Sequence, residues 1–441
     1  MSEELIANLQ NAFNPFREVQ PGESFYVDCK EVRGNDDILR ELGRRISRSD
    51  ETNSCQLYAG HRGGGKSTEL LRLKADLESK GYVVIRFQAD EDFDVYDAEY
   101  TDILLTCTHN ILKGLKEKAN PLPLVEWLKS RWQALQDLAL TDVTVEELSI
   151  ESQMGLFGKL TTTLKTTPST RETIRKQVDL YSIALTDALN EFIDEAKRQV
   201  GASKLVVIAD NLDRIVPMPR DNGRTNHDDI FIDHSELMKK LGCHVIYTVP
   251  ISLVYSSRAS QLRNAYGDYQ ILPMIMVRDP EQNHAPYGLG IDKVKEVIRK
   301  RIERYAPNLV LEGDIFDSRE TLEQLCLMSG GHIREVMHFM QTALNQIDNF
   351  PITREATQEA FFQGTETYRE TLHQSDWAKL AEIHRARRIV NDDQYRKLLF
   401  DRCVLEYRYK DSFGKPQKWH DVHPLLQDTD EFQKALTDLS P

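Results

Sequence analysis

Apolar and polar residues fall along this chain in blocks whose period changes in a regular order. Short apolar runs predict five strands: Gln56 to Ala59, Tyr82 to Gln88, Lys204 to Asp210, His244 to Pro250, and Gln270 to Val277. Between them the spacing turns helical. Ser67 to Ser79 places Leu70, Leu71, Leu73 and Leu77 on one side, and Ala98 to Lys118 and Arg171 to Arg198 predict longer helices. Strands alternating with helices imply an α/β class, with a largely parallel five-stranded sheet covered on both faces.

A helical insertion of about 120–170 interrupts this alternation. Its last part, GLFGKLTTTLKTTPST from Gly155 to Thr170, carries glycines and a Thr run that favour a hairpin or mobile loop over a helix. Leu156, Phe157, Leu160 and Leu164, with Lys159 and Lys165, offer a contact for a partner or a membrane surface; a partly ordered insertion is the plainer expectation. After the fifth strand the period stays helical. Ile291 to Tyr305, Ser318 to Met328, His332 to Ile347 after a turn at Gly330 and Gly331, and Arg354 to Thr371 form a predicted helical lid. The end reads as helices Trp377 to Arg388 and Asp392 to Phe400, then strands Cys403 to Tyr409 and Lys418 to Val422 around a DSFGKPQ turn, an order that resembles a winged helix. The expected division is a core at 1–285, a lid at 286–372 and a winged-helix-like domain at 373–441.

The 441 residues suffice for two or three domains with cores of their own. Six cysteines lie far apart with no CxxC pair, which suggests neither a zinc site nor a disulfide framework and fits a reducing cytoplasm. The opening MSEELIANLQNAF has acids where a signal peptide needs bases, and no apolar run is long enough to span a bilayer, so export and integral membrane association are not expected. A net charge of −14 argues against a chain that coats nucleic acid over its whole surface. Between Trp377 and His420, however, eleven Lys and Arg face six Asp and Glu, a local +5 that leaves −19 elsewhere. Arg385, Arg387 and Arg388, then Arg396 and Lys397, then Lys410, Lys415 and Lys418 around the turn, suit phosphate contacts by a recognition helix and wing, although many winged helices bind protein instead.

The strongest chemical signal is GHRGGGKST, Gly60 to Thr68. Gly60, Gly65, Lys66 and Ser67 hold the defining positions of a phosphate-binding loop, between a predicted strand and a predicted helix. Such a loop turns backbone amides of Gly60, His61, Arg62, Gly63, Gly64, Gly65, Lys66, Ser67 and Thr68 toward phosphates, with the lysine on the β and γ oxygens and Ser67 as a Mg²⁺ ligand. The site also needs an acid for Mg²⁺ at the end of a second strand. VVIADNLDRI delivers Asp210 to that edge, followed by Asp213 and Arg214.

With these residues the chain resembles bacterial P-loop ATPases of the AAA+ and STAND grouping, and its DNLDR is similar to the DDLDR of KAP-type members. The resemblance covers about 25–426. It implies ATP and Mg²⁺ as ligands, and it puts Val32, Arg33 and Gly34 at the adenine, Thr248 at the polar position that orients the attacking water, and Arg334 on the γ phosphate from the lid. It further implies an arginine from a neighbouring subunit, for which Arg258 and Arg263 are the best placed. Where the pattern has a second acid, this chain has Asn211, which leaves the base to Asp213 or an acid elsewhere, or makes turnover slow. The order of core, lid and winged helix also resembles archaeal and eukaryotic initiator ATPases. The implied functions are an oligomeric ATP-driven switch acting with a protein partner, as in antiphage defence, or a DNA-loaded initiator or remodelling ATPase; a small-molecule kinase has less support.

Overall fold

The computed structural model describes residues 3–35, 37–48, 53–130, 150–201, 204–282, 284–389 and 391–439. Residues 131–149, the middle of the predicted insertion, lie outside them.

The chain opens with helix α1 (Glu3–Ala12) and, after a strap at residues 14–19, helix α2 (Ile38–Arg48). Strand β1 (Ser54–Gly60) runs into the glycine-rich loop and helix α3 (Lys66–Ser79), followed by β2 (Val83–Gln88) and α4 (Tyr100–Leu115). Helices α5 (Leu122–Lys129), α6 (Ile150–Thr166), α7 (Pro168–Leu180) and α8 (Ser182–Val200) lead to β3 (Leu205–Asp210); β4 (His244–Pro250), α9 (Ala259–Tyr266) and β5 (Gln270–Leu272) complete the sheet. All five strands are parallel, in the order β2-β3-β4-β1-β5. Strands β3 and β4 are buried along their whole length, as near-continuous apolar runs covered on both faces must be.

The fifth strand is shorter than its apolar run. Pro273 follows Leu272 and has no N–H for a ladder, and the next amides bond elsewhere, Met274 to the Glu406 carbonyl and Met276 to that of Val32. The predicted hairpin or mobile loop over 155–170 is instead helix α6. Leu156, Phe157, Leu160 and Leu164 recur at helical spacing and are buried against the rest of the core, so they are not a surface for partner or membrane. The threonines tolerate this because the hydroxyls of Thr161, Thr162 and Thr166 bond carbonyls three or four residues back. The single helix expected over Arg171 to Arg198 is divided at Tyr181, a break that nothing in the local sequence marks.

Beyond the sheet come α10 (Gly288–Glu303), α11 (Arg319–Met328), α12 (Ile333–Asn345) and α13 (Arg354–Arg369). Ser318, His332 and Thr353 accept from backbone amides at the starts of α11, α12 and α13, the capping that ends a loop and fixes a helix start. Helix α14 (Asp376–Ala386) follows. The helix expected over Asp392 to Phe400 is a 3₁₀ turn at Asp393–Tyr395 continued by the short α15 (Arg396–Phe400), and the hairpin pairs β6 (Val404–Lys410) with β7 (Pro416–Val422). Leu405, Tyr407 and Trp419 of this hairpin pack with Met274 and Met276, and the Tyr407 hydroxyl donates to the Gly330 carbonyl at 2.8 Å. The hairpin root is therefore part of the core. Among the described residues no helix is long and apolar enough to cross a membrane.

Candidate functional site

The glycine-rich loop is shaped by its glycines. Gly63 (φ +79°) and Gly65 (φ +106°) are left-handed, and a Cβ on Gly63 would lie 2.7 Å from Arg334 Cβ. Gly65 caps α3 without a side chain, so the first-turn amides, which have no partners within the helix, are left for an anion.

In front of them is a cavity of about 260 Å³. Its walls are the loop, the start of α3, the strap at 14–19, the end of β2, the turn after β3, α10 and α12. Arg17, Arg62, Lys66, Arg214, Arg301 and Arg334 line it against only two carboxylates, Glu18 and Asp213. In an acidic protein this is a local concentration of positive charge suited to a polyanion. Burial, with Arg214 and Arg402 adding repulsion, brings Arg334 down to about 10, which expresses that surplus. The cavity takes phosphates on both counts, amides and charge.

Two buried ion pairs occupy the chemistry-bearing residues. Lys66 Nζ donates to the carbonyls of Gly60 and His61 and lies against Asp213 Oδ2, each at 2.8 Å, so all three of its protons are held. Burial lowers its pKa and Asp213 opposes that shift. Asp210 ends β3 where the sequence puts it, yet it does not line the cavity. Its Oδ1 accepts the Asn211 amide and its Oδ2 takes Arg86 Nη2 at 2.6 Å; the same nitrogen reaches Glu18 Oε1 at 2.7 Å. Burial nevertheless raises the Asp210 carboxyl, Arg86 offsetting it in part and Asp213 adding to it. Ser67 lines the cavity, whereas Asp210 lies outside its lining, paired with Arg86.

No protein-family model matches the chain, and no curated protein matches it in sequence. Solved structures of similar arrangement include the Orc1 protein of Aeropyrum pernix in complex with DNA, 12% identical with a TM-score of 0.36 and covering 98% of this chain and 96% of that one. The Orc2 protein of the same organism, with ADPNP and ADP, is 11% identical with a TM-score of 0.44 over 97% of this chain and 98% of that one. Cdc6p from Pyrobaculum aerophilum is 13% identical with a TM-score of 0.40 over 97% and 98%. Likeness at this level is to a general arrangement and lends nothing to the site.

The predicted site residues separate into three groups. Arg62, Gly63, Gly65, Lys66, Ser67, Thr68, Asp213 and Arg334 meet at the cavity. Arg334 Nε donates to the Pro15 carbonyl at 3.2 Å and its amide to Gly63. A second group lies behind it. Thr248 Oγ1 accepts the Leu212 amide at 3.0 Å and fixes the turn after β3. Val32, Arg33 and Gly34 do not line the cavity: Arg33 donates to the Gly64 carbonyl at 2.7 Å from outside the loop, and Gly34 abuts Arg408. The third group is remote. Arg258 pairs with Asp233 at 2.6 Å and Arg263 with Asp268 at 2.7 Å, away from the cavity of their own chain.

The back of the loop is held by the C-terminal hairpin, the end of α15 and the start of α12. The Glu406 amide donates to His61 Nε2 at 3.0 Å, Arg62 stacks on Phe400 at 4.2 Å, and His332 Nε2 bonds the Arg62 carbonyl at 2.6 Å. Burial takes His61 down to about 3 and keeps it neutral, the only form that accepts this bond. The basic C-terminal residues are correspondingly internal in part. Arg396 is buried against Asp228 at 2.8 Å and Arg387 pairs with Asp421 at 2.6 Å, so the surface role expected of both is not what they do here. Lys418 lies over Tyr255, Lys397 pairs with Asp401, and Arg385 donates to the Leu439 carbonyl, while Arg388 and Lys415 are exposed.

The sequence reading missed the strap, Arg86 and Gln88. Arg86, a charge inside the apolar run YVVIRFQ, was the one available signal.

Proposed function

We propose that the chain is an ATP-binding and ATP-hydrolysing switch of the AAA+ and STAND type, acting as an oligomer with a protein partner. The observation that carries this is the basic cavity on the phosphate-binding loop, whose opposite side is gripped by the C-terminal hairpin. The first-turn amides of α3 and Lys66 would hold the phosphates, with Ser67 and the released Asp210 holding Mg²⁺, which would supply charge neutralisation on the phosphoryl oxygens. Phosphates compete with Asp213 for Lys66, and Arg334 carries the change to α12. His61 carries it to the hairpin and Arg62 to the end of α15. Antiphage defence is the setting that the family resemblance suggests. Fluorescent ATP titrated into wild type and Lys66→Ala tests the reading: binding by wild type, lost in the variant, is expected, and equal binding by both would refute it.

A second reading, loading on DNA, is favoured by the hairpin tip, where Phe413 is 94% exposed beside Lys415. It predicts DNA-stimulated hydrolysis that is lost in an Arg388→Ala, Lys415→Ala double variant.

A further inference from the structure

Asn211 occupies the place where the family pattern has the acid that polarises water, and its amide offers no basic atom. In the structure Asn211 Nδ2 donates to Asp90 Oδ1 at 2.8 Å, and Arg214 takes the other oxygen of Asp90 at 2.8 Å. Asp90 is thus fully engaged and does not line the cavity. Asp210 is engaged by Arg86 and the Asn211 amide, and Asp213 by Lys66. Glu18 remains. It faces the cavity from the strap, and its Oε1 is oriented by two donors of β2, Arg86 Nη2 at 2.7 Å and Gln88 Nε2 at 3.0 Å. No bond falls on Oε2 among the described residues, and the side chain is 22% exposed, open to a water. Because Arg86 Nη2 also bonds Asp210 Oδ2, Glu18 stands within two hydrogen-bond lengths of the acid that ends β3.

The strap that carries Glu18 is fixed at both ends. Asn14 Oδ1 accepts the Phe16 amide at 2.9 Å, Pro15 accepts Arg334, Val19 is buried, and Arg17 pairs with Glu23 at 2.7 Å. A carboxylate held by a rigid segment, oriented through one oxygen and free at the other, has the build of a general base.

We propose that Glu18 is the general base for ATP hydrolysis, taking the place that Asn211 leaves vacant; this rests on the ATPase reading above. Glu18 Oε2 accepts a proton from water as the water oxygen bonds the γ phosphorus. The bond from that phosphorus to the bridging oxygen breaks, the oxygen leaving on ADP with the electron pair, and Glu18 returns the proton to solvent. Arg86 and Gln88 are positioning residues for the base.

The test is the split between turnover and affinity in the full chain. Glu18→Gln keeps an oxygen for Arg86 and Gln88 and is expected to lower kcat about 100-fold or more, with the Kd for a fluorescent ATP analogue within about threefold of wild type. Glu18→Asp, with the carboxylate set back by one methylene, should recover part of the rate. Wild-type turnover in Glu18→Gln would overturn the proposal and leave the ATPase reading standing. So would a parallel loss of affinity and rate in both variants, since the strap would then be a wall of the cavity only. A wild-type protein that binds no ATP or turns none over would overturn the ATPase reading itself, while Lys66→Ala marks the floor of the assay.

Discussion

The two faces of the glycine-rich loop are built on different principles. The cavity face is polar: it carries six cationic side chains and the Lys66–Asp213 pair, with Glu18 tied to Arg86 and through it to Asp210 just behind the wall. The back face is buried. There Phe400, Leu405 and Tyr407 are buried; His61 accepts the Glu406 amide of a hairpin whose root belongs to the core, and Arg62 donates to the Phe400 carbonyl at the end of α15. On the proposed switch, a loop anchored behind would couple whatever fills the cavity to the hairpin, and by reciprocity whatever engages the hairpin to affinity at the cavity.

The largest effects should come from the front. Lys66→Ala removes the ammonium from the phosphates and leaves Asp213 buried beside them without a partner; loss of ATP turnover by about 1,000-fold is expected in a phosphate-release assay. Asp210→Ala should lose Mg²⁺-dependent hydrolysis while nucleotide binding persists, measured by titrating Mg²⁺ at fixed ATP. Neither change removes a contact of the back face, so without nucleotide the protease sensitivity of the hairpin should stay as in wild type.

At the back, Leu405→Ala empties a fully buried position between Met274 and Gly330. It should cost about 2–5 kcal/mol in denaturant unfolding. The same variant should weaken nucleotide binding although no atom of Leu405 lines the cavity. Weaker stability with unaltered affinity would break the coupling between the faces.

How much of this was legible in the sequence follows the same division. The glycine-rich loop could be read because four glycines, a lysine and a hydroxyl within nine residues fall at the spacing of a phosphate-binding loop, and β3 and β4 because apolar runs buried on both sides leave no polar alternation to misread. The strap could not. Glu18 and Arg86 meet across 68 positions, and nothing local to either announces the other. The insertion misled for the opposite reason: the strand preference of its threonines was weighed above the helical spacing of Leu156, Phe157, Leu160 and Leu164, and tertiary burial decided for the spacing. Asp210 was placed correctly in the chain, but its partner Arg86 becomes visible only when β2 lies beside β3.

Acid gives a milder probe of the back face. In the unfolded chain histidine takes a proton near 6.5, whereas burial holds His61 to about 3 and, with repulsion from Arg402 added, His423 to about 3. Between these values the unfolded state binds more protons, so the stabilisation is complete above pH 6.5 and is lost as the pH falls, by about 1.4 kcal/mol per unit for each such group. Glu406 keeps its charge throughout: burial would raise it, but Arg408, His420 and the Tyr255 hydroxyl hold it at about 2. Unfolding followed from pH 7 to pH 5 should therefore show a slope that His61→Gln reduces by one proton. An unchanged slope would remove His61 from the coupling.

The smallest change in a single chain is expected at Arg258 and Arg263, which belong to neither face. The Arg263–Asp268 pair is about two-thirds exposed on both sides, and a pair of that kind contributes about 0–1 kcal/mol. Arg263→Ala should leave stability within about 0.5 kcal/mol of wild type and ATP affinity unaltered. Turnover separates the two remaining roles for this arginine. If it serves only its own surface, the rate is unaffected at every protein concentration. If it completes the cavity of a second copy, the rate falls only where copies associate, and mixing Arg263→Ala with Lys66→Ala restores part of it. In such a mixture the first variant supplies an intact loop and the second an intact arginine, so recovery requires the two to meet across an interface.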